Sequence, residues 1–465
     1  EIEGLALDSR AVSSNFVFAA IKGTLVDGHR FIPTAIANGA TCILAQELPE
    51  QLTEGVCYLL SDQPSIALGH LASAFYEHPT ADLKVIGVTG TNGKTSIATL
   101  LKNCLTSLGY QVGLLSTIQI EIGEEILPST HTTPHAIAIQ SVMHTMVEKG
   151  CDYVIMEVSS HAAHQQRIAG IRWTGGIFTN LSHDHLDYHK TYDHYIKSKK
   201  SFFDGLPSSA FALSNKDDKN GAVMFQNCQA KKAYYSVDQL SEFKAKVVEQ
   251  DLTGMHLHIN EKDLYARLSG RFNAYNITAV YAALSLLGFE SEESLVALSQ
   301  AKGAKGRMDW VKNKENIIGI VDYAHTPDAL LNVLTTLKQL NSLDGNIITV
   351  VGCGGNRDQE KRPKMAHIAS EYSNQVILTS DNPRDEEPNL IIQQMEAGIP
   401  LHKRLNTLTI EDRKSAIKTA CSLAKANDLI LVAGKGHELY QEIKGIKTPF
   451  NDKAFLQDFL QTENI

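Results

Sequence analysis

The stretch that decides the fold reads Gly87-Val88-Thr89-Gly90-Thr91-Asn92-Gly93-Lys94-Thr95. It follows an apolar run that predicts a strand, and it precedes apolar residues spaced as on one face of a helix. Glycines between a strand and a helix let backbone N–H groups approach phosphate oxygens. Lys94 would neutralise the outer phosphates, and the Thr95 hydroxyl would hold Mg²⁺. Because a valine occupies position 88, the spacing departs from the general P-loop, and a glycine-rich turn without phosphate is the alternative.

The composition is that of a globular protein with several domains. The 465 residues predict about three domains of roughly 150 residues each. A formal net charge of −9 argues against a nucleic-acid partner, because nucleic-acid-binding faces are basic. The seven cysteines form no C-x-x-C pair, which indicates reduced thiols. With no candidate membrane span and no signal peptide, we expect a cytoplasmic protein. Because the first residue is Glu1, we also expect natural residues to precede it.

Apolar runs and turns divide the chain into three α/β units. Residues 1–82 predict a small N-terminal unit, residues 83–304 a central unit, and residues 305–465 a third unit. In open α/β sheets, ligands bind beyond the carboxyl ends of the strands. Polar residues follow the predicted strands of the central and third units, so we expect two ligand-binding faces.

Polar residues at two strand ends of the central unit predict a metal site. Glu157 follows the predicted strand 153–156, and His185 follows the next one. A carboxylate at this position suits Mg²⁺, which prefers oxygen ligands. Histidine is an unusual Mg²⁺ ligand, so zinc bound with His183 and His189 is the alternative. A histidine-rich turn and a turn-capping carboxylate, both without metal, also remain open.

Lys199 lies on the apolar face of a helix predicted over residues 192–203, whereas Lys197 and Lys200 fall outside that face. A lysine directed inward must be paired or lose its charge. Carbamylation by CO₂ would turn it into a carboxylate that is able to hold metal. The residues alone favour a simpler interpretation, in which the lysine stem packs on tyrosines.

Arginines and acids at the strand ends of the third unit predict a second ligand site. Arg357 and Arg384 are each expected to be embedded at a strand end, near Asp381 and Glu438. An arginine presents a planar fork to a carboxylate, and an acid suits an ammonium group. Together they predict a pocket for a zwitterionic amino acid, although a structural network of ion pairs is equally consistent with the residues.

Ordered motifs along almost the whole chain resemble those of the Mur ligases of peptidoglycan synthesis, and the spacing of the glycine loop has the form found in that family. The motifs are, in chain order, Asp8-Ser9-Arg10, Asp27-Gly28-His29, Thr89 to Thr95, Thr132-Thr133-Pro134, Glu157 to His161, Asp184 to His189, Phe272-Asn273 with Asn276, Asp322 to Asp328, Gly352 to Asp358, and Gly434 to Glu438.

The resemblance implies an α/β fold with three domains: a small N-terminal α/β domain that binds the uridine part of the substrate, a central P-loop ATPase-like domain, and a C-terminal Rossmann-like domain that binds the amino acid. It implies a ligase that uses ATP and Mg²⁺ to phosphorylate the D-glutamate γ-carboxylate of UDP-MurNAc-L-Ala-D-Glu. The amine of a diamino acid then attacks the acyl phosphate. The partners would be these small molecules only, and we expect a cytoplasmic monomer.

The resemblance also assigns roles to single residues. The catalytic residues would be Lys94, Glu157, His185 and Lys199, with carbamylated Lys199 joining Thr95, Glu157 and His185 around the metal. ATP would contact Gly90, Thr91, Asn92, Gly93, Lys94, Thr95, Asn276, Arg307 and Asp322. The UDP-MurNAc-dipeptide would contact Leu7, Ser9, Thr24, Thr132, Thr133, Ser159, Gln165 and Arg167. The diamino acid would contact Arg357, Asp381, Asn382, Pro383, Arg384, Gly434 and Glu438.

The motif Asp381-Asn382-Pro383-Arg384 would decide which amino acid is added. In the family this motif marks ligases that add meso-2,6-diaminopimelate, and those that add L-lysine lack the arginine. Diaminopimelate has a second carboxylate for Arg384, whereas lysine would leave the arginine unpaired. The alternatives are an L-lysine-adding ligase and an ATP-hydrolysing regulatory or binding module. Folylpolyglutamate synthetases share the P-loop core, but the Asp8-Ser9-Arg10 segment and this motif do not suit them.

Overall fold

The computed structural model describes residues 1–23, 26–129, 131–182, 184–341 and 345–461. Its strands form sheets of four, eleven and six strands in chain order, followed by a two-stranded hairpin. Each large sheet is covered by helices, and the expected α/β class with three units is confirmed. In the described part of the chain, no helix is both long and apolar enough to cross a membrane.

The N-terminal unit is a four-stranded parallel sheet with two helices. Its strands are Gly4–Ala6 (β1), Phe16–Ala20 (β2), Ala40–Ala45 (β3) and Cys57–Leu60 (β4), and its helices are Ile32–Ala37 (α1) and Pro64–Phe75 (α2). The strands pair in the order β1-β2-β3-β4. The side chains of β2 and β3 are almost wholly buried, because α1 packs on one face of the sheet and α2 on the other.

The central unit contains the largest sheet. Its strands are Lys84–Thr89 (β5), Val112–Leu115 (β6), Gln119–Ile122 (β7), Glu125–Pro128 (β8), Tyr153–Glu157 (β9), Trp173–Phe178 (β10), Phe211–Asn215 (β11), Lys231–Ser236 (β12), Phe243–Gln250 (β13), Met255–Ile259 (β14) and Lys262–Ala266 (β15). Its helices are Lys94–Ser107 (α3), Ala136–Glu148 (α4), Ser160–His164 (α5), Leu186–His189 (α6), Tyr192–Asp204 (α7), Arg271–Leu286 (α8) and Ser291–Gln300 (α9). The strand order is β15-β14-β13-β12-β11-β10-β5-β9-β6-β7-β8.

The strand β5 lies between β9 and β10, and all three run parallel. Its residues Val85, Ile86 and Val88 are fully buried, because helical layers cover both faces of the sheet. Parallel strands end at the same edge of a sheet, so the segments that follow β5, β9 and β10 meet there. This topology brings the glycine loop next to Glu157.

The third unit is a doubly wound sheet. Its strands are Asp309–Lys312 (β16), Ile318–Asp322 (β17), Ile347–Val351 (β18), Gln375–Leu378 (β19), Thr407–Thr409 (β20) and Leu429–Ala433 (β21), followed by the hairpin Tyr440–Ile443 (β22) and Ile446–Pro449 (β23). Its helices are Pro327–Leu340 (α10), Lys361–Tyr372 (α11), Pro388–Glu396 (α12), Arg413–Leu423 (α13) and Asp452–Leu460 (α14). The order β16-β17-β21-β18-β19-β20 is parallel except for β16, as in Rossmann-like folds.

The helix α7 contains two buried lysines, Lys199 and Lys200. Lys199 is 1% exposed, as its place on the apolar face predicts. Lys200, which the helical pattern places outside that face, is also buried. Its Nζ lies 2.7 Å from Oδ1 of Asp204, one helical turn further on. The carboxylate supplies a partner for the buried charge, and the sequence pattern of apolar residues does not register such a pair.

Candidate active site

The glycine loop after β5 is shaped by residues that follow β10. The backbone N–H of Thr91 donates to the carbonyl oxygen of Asn180 (2.8 Å), and that of Asn92 donates to the Asn180 side chain (3.0 Å). The Thr179 hydroxyl donates to the carbonyl of Asn92 (2.6 Å). A Cβ at Gly90, where φ is +148°, would lie 1.8 Å from the Thr179 oxygen. A residue with a side chain therefore cannot take the place of Gly90 in this loop.

The loop leads directly into the N-terminus of α3. Gly93, with φ of +87°, precedes the first turn, and a Cβ there would lie 2.8 Å from Oδ1 of Asn276. The Asn276 amide donates to Asn273 (2.9 Å), which fixes its orientation on α8. The loop, the helix N-terminus and Asn276 thus share one corner of the unit, which suits a bound phosphate.

Lys94 bends back over the glycine loop. Its Nζ donates to the carbonyl oxygens of Gly90 (2.9 Å) and Thr91 (2.8 Å). Burial lowers the pKa of Lys94, while the negative charges of Glu157 and Asp184 oppose that shift. The ammonium group is therefore already placed at the loop where phosphate charge would develop.

The Glu157 carboxylate is completely buried at the end of β9 and is held by Thr117. The Thr117 backbone N–H donates to Oε1 (2.8 Å), and its hydroxyl lies 3.1 Å from Oε2 and 3.1 Å from the Thr132 hydroxyl. Sequence reasoning missed Thr117. Its position two residues beyond β6, a parallel neighbour of β9, is the feature that could have placed it beside Glu157.

Lys199 reaches the same loop from α7. Its Nζ donates to the carbonyl oxygen of Gly90 (2.8 Å) and lies 4.8 Å from the centre of the Tyr195 ring. Burial lowers the pKa of Lys199 well below its ordinary value, and the charge of Lys94 adds to that shift, against the opposing charge of Asp184. The neutral amine is thereby favoured, and a neutral amine is the form that reacts with CO₂.

Asp184, at the start of the histidine-rich segment 184–189, lies beside this site. Burial alone would raise the pKa of Asp184, but the charges of His185, His325, Lys361 and Lys94 hold it at about 2. His185 has φ of +55°, and its Nε2 lies 3.3 Å from the Asp184 carboxylate. Asp184 therefore remains ionised beside the loop.

The zinc alternative rests on His183 and His189. His183 lies outside the described residues. The ring nitrogens of His189 lie 2.9 Å from the Ser160 hydroxyl and 3.4 Å from that of Ser198. Burial and the surrounding histidines lower the pKa of His189 to about 3. Among the residues described, no group of three or more His, Cys, Asp or Glu side chains is placed to hold a metal ion.

Arg307, from the third unit, reaches the residues that follow the glycine loop. Arg307 lies 4.5 Å from the centre of the Tyr323 ring, and its terminal nitrogen lies 3.3 Å from the Thr95 hydroxyl. Its Nε is buried and has no hydrogen-bond partner among the described residues. Asp322 accepts from the backbone of Met308 (2.7 Å), and burial raises the pKa of Asp322 against the charge of Arg307. An orphaned donor beside the loop suits an anionic ligand.

The residues expected to bind the dipeptide form one hydrogen-bonded group behind Glu157. The Thr133 hydroxyl donates to the Glu157 carbonyl (2.7 Å) and accepts from the backbone N–H of Ser159 (3.1 Å). Arg167 donates to the Thr133 carbonyl (3.0 Å) and to the Gln165 side chain (2.8 Å). The structure therefore brings these predicted residues together.

The N-terminal unit packs beside this group. Its helix α2 contacts α4, and a Cβ at Gly69 would lie 2.5 Å from the carbonyl oxygen of Ala169, two residues beyond Arg167. Ser9 is buried and Leu7 is half-buried, whereas Thr24 lies outside the described residues.

The predicted amino-acid pocket lies at the carboxyl edge of the third sheet. The Asn382 side chain donates to Oε2 of Glu438 (2.7 Å), and its backbone donates to Oδ1 of Asp381 (2.7 Å). A Cβ at Gly434, where φ is +116°, would lie 2.6 Å from the other Asp381 oxygen. Pro383 is buried, and its carbonyl lies where a Cβ at Gly355 would fall. Two loops thus pack tightly around the acidic side chains.

The two arginines differ in burial. Arg384 is half-buried with φ of +53°; a terminal nitrogen donates to the Gly355 carbonyl (2.8 Å), and its Nε lies 3.8 Å from a Glu442 oxygen. The prediction that Arg357 is also embedded is wrong, because it is exposed. Its loop turns at Asn356, where φ is +54°, and carries Arg357 toward solvent. Both arginines nevertheless flank the same glycine, Gly354.

Three family models match the chain. The model described as Mur ligase family, catalytic domain, matches residues 1–76; the Mur ligase middle domain matches residues 88–284; and the Mur ligase glutamate ligase domain matches residues 306–436. The matches follow the order of the three sheets.

Individual proteins are similar over the full length. A Phocaeicola vulgatus protein named UDP-N-acetylmuramoyl-L-alanyl-D-glutamate–2,6-diaminopimelate ligase is 52% identical, with 100% of this chain and 96% of that protein covered. A solved structure of a ligase with the same name is 32% identical with a TM-score of 0.71, covering 99% of this chain and 95% of the other. Thermotoga maritima MurF in complex with ADP shares the fold at 18% identity, with a TM-score of 0.65 and coverage of 99% and 97%.

A glycine substitution tests the nucleotide loop. We expect Gly90→Ala to weaken ADP binding about tenfold or more, because its Cβ would meet the Thr179 oxygen at 1.8 Å and displace the loop. The measurement is titration calorimetry with ADP and Mg²⁺. Gly109→Ala is the matched control, because Gly109 also has positive φ (+93°) but open space around it. Equal ADP affinity for the Gly90 variant and the unmodified protein would refute the assignment of this loop to phosphate binding.

Proposed function

The chain belongs to the Mur ligase family, and from that premise we propose that it joins 2,6-diaminopimelate to UDP-MurNAc-L-Ala-D-Glu at the expense of ATP. Relatives about half identical over the full length have the name of this activity. The observation that carries the proposal is the pocket of the third unit, in which Asn382 bonds both Asp381 and Glu438, and the charge of Arg384 acts on Asp381. The two acids can bind ammonium groups and the arginine can bind a carboxylate, which matches the groups of a diamino diacid. A module that only hydrolyses ATP has no need of such a pocket.

The phosphoryl-transfer half of the reaction belongs to the loop after β5. The D-glutamate γ-carboxylate attacks the γ-phosphorus of ATP and yields an acyl phosphate and ADP. Loop amides and Lys94 bind the transferred phosphoryl group and offset its charge. Arg307, with its orphaned Nε, and Asn276 below Gly93 complete the ATP site together with Asp322.

The donor set of this corner suits Mg²⁺. The Thr95 hydroxyl, the buried Glu157 carboxylate, His185 and a carbamate on Lys199 would hold it, and three of these four are oxygen ligands. Mg²⁺, when bound, neutralises charge on the phosphate oxygens. Thr117 keeps the Glu157 carboxylate oriented by two hydrogen bonds, and the lowered pKa of Lys199 keeps its amine available for CO₂.

The acyl-transfer half joins the two sites. An amine of the diamino acid attacks the acyl carbon, loses a proton and expels phosphate, which leaves an amide. Thr133, Ser159, Gln165 and Arg167 hold the dipeptide end of the UDP-linked substrate next to Glu157, and the N-terminal unit holds its uridine end. We also propose unit boundaries after residues 82 and 304, as the apolar runs predict, and a cytoplasmic, monomeric enzyme.

Substrate dependence tests the reaction directly. Phosphate release from ATP is measured with UDP-MurNAc-L-Ala-D-Glu and either meso-diaminopimelate or L-lysine. We expect release with diaminopimelate alone, because only this substrate offers a second carboxylate to Arg384. Release with lysine would leave the ligase in place and refute the specificity. Release that needs neither amino acid would favour the ATPase module instead.

The role of Arg384 is tested by Arg384→Ala. We expect kcat/KM for meso-diaminopimelate to fall about 100-fold, because the side chain loses a charge-assisted bond to the second carboxylate. The KM values for ATP and the UDP-linked substrate should stay the same. Arg404→Ala, at an exposed arginine of the same unit, is the control. Loss of ATP affinity to the same extent as diaminopimelate affinity would mean that Arg384 is structural.

Carbamylation is tested by Lys199→Ala. We expect turnover to be lost and partly restored by short carboxylic acids, which would occupy the space of the carbamate. Lys200→Ala is the matched control, because Lys200 is a buried neighbour paired with Asp204 rather than directed at Gly90. Full activity of the alanine variant without added acid would contradict the carbamate, as would equal restoration of both variants by acid.

A further inference from the structure

Lys435 is a completely buried lysine beside the amino-acid pocket; it lies within the motif Gly434 to Glu438, but the proposed reaction gives it no role. Its Nζ donates to Oδ1 of Asn382 (2.8 Å) and lies 3.2 Å from Oε2 of Glu438. Both neighbours line the proposed pocket. A lysine is rarely buried to this extent unless its charge serves a partner.

The backbone around Lys435 is built to direct its side chain inward. The flanking glycines, Gly434 and Gly436, have φ of +116° and +53°, a region that favours residues without a side chain. A Cβ at Gly436 would lie 2.7 Å from the Gly306 carbonyl, so the loop packs directly on the segment before Arg307. The backbone N–H of Glu438 donates to the Lys435 carbonyl (2.9 Å), which closes the turn.

Lys435 also compensates two acids that lie close together. Burial and the charge of Asp381 raise the pKa of Glu438, and the charge of Lys435 opposes that shift. Burial would raise the pKa of Asp381 as well, but Lys435 and Arg413 hold it below its ordinary value. Removal of the lysine charge would therefore favour a protonated Glu438, which binds an ammonium group weakly.

The hydrogen bonds to Glu438 are asymmetric. The Asn382 amide and Lys435 both contact Oε2, so they fix the plane of the carboxylate and leave Oε1 outside this network. The same Asn382 oxygen that accepts from Lys435 also accepts from the backbone N–H of Glu442 (3.0 Å), in the hairpin strand that pairs with Arg384. One lysine thus connects the acid and the arginine segments of the pocket.

We infer that Lys435 is a positioning residue for amino-acid selection: together with Asn382, it holds the Glu438 carboxylate oriented to receive an ammonium group of the incoming diamino acid. The inference rests on the proposed function. It gives Lys435 no contact with the substrate, so its effect must pass through Glu438.

A double-mutant cycle tests this route. Lys435→Met, Glu438→Gln and the double variant are compared by steady-state kinetics in diaminopimelate, ATP and the UDP-linked substrate. We expect Lys435→Met to raise the KM for diaminopimelate about tenfold or more while the other two KM values change less than about twofold. In the Glu438→Gln background the same substitution should add less than about threefold, because the residue through which it acts is gone.

Controls separate this inference from folding and from the proposed function. Lys102→Met removes a lysine paired with Glu121 at 2.8 Å in the central unit and should leave all three KM values unchanged. Lys435→Gln, a smaller polar change, repeats the test if the methionine variant does not fold, as judged by ADP binding. An unmodified protein without diaminopimelate-dependent turnover would refute the proposed function. An active protein whose Lys435 variants keep the KM for diaminopimelate, raise all three KM values equally, or show full additivity with Glu438→Gln would refute this inference alone.

Discussion

Two lysine nitrogens converge on one carbonyl oxygen, and the central site depends on that contact. Nζ of Lys94 and Nζ of Lys199 lie 2.9 Å and 2.8 Å from the oxygen of Gly90. Burial lowers the pKa of both lysines, and the charge of Lys94 lowers the pKa of Lys199 further. The more deeply buried Lys199 bears the larger shift. The arrangement is therefore poised to receive negative charge, either from phosphate oxygens at Lys94 or through a carbamate at Lys199.

Close contacts of the third unit link the glycine loop after β5 to the loop of residues 434–438 at the amino-acid pocket, called here the amino-acid loop. Arg307 reaches the Thr95 hydroxyl, and a Cβ at its neighbour Gly306 would lie 2.2 Å from the backbone nitrogen of His437. The Asn92 side chain donates to Asp328 at the start of α10 (3.0 Å). Because these contacts leave no room for a side chain at Gly306, movement of the amino-acid loop must displace the segment that holds the arginine. Occupation of one site is thus expected to be felt at the other.

The sequence predicts those parts of the site that follow from strand order and helical spacing. Glu157 lies at the predicted sheet edge because parallel strands end together, and Lys199 is buried because its helix face is apolar. Features that depend on a single side-chain contact are not predictable in this way. Lys200 is buried through its pair with Asp204, Arg357 is exposed because the loop turns before it, and Thr117 has no motif that marks its contact with Glu157.

The surroundings of Arg384 refine the physical account of selectivity. From the sequence alone, a lysine substrate is expected to leave Arg384 unpaired. In the structure, however, one terminal nitrogen already donates to the Gly355 carbonyl, and the Glu442 carboxylate lies 3.8 Å from its Nε. These contacts within the protein therefore reduce the free-energy cost of leaving the Arg384 guanidinium without a substrate carboxylate. In the proposed reaction, preference for diaminopimelate would then come from the charge-assisted bond between its second carboxylate and Arg384, whose backbone is held in place by hydrogen bonds with Glu442 (3.1 Å) and Lys444 (2.7 Å). On this proposal, the substrate carboxylate would approach a cation that already has the Glu442 carboxylate 3.8 Å from its Nε, so the two carboxylates would compete for Arg384.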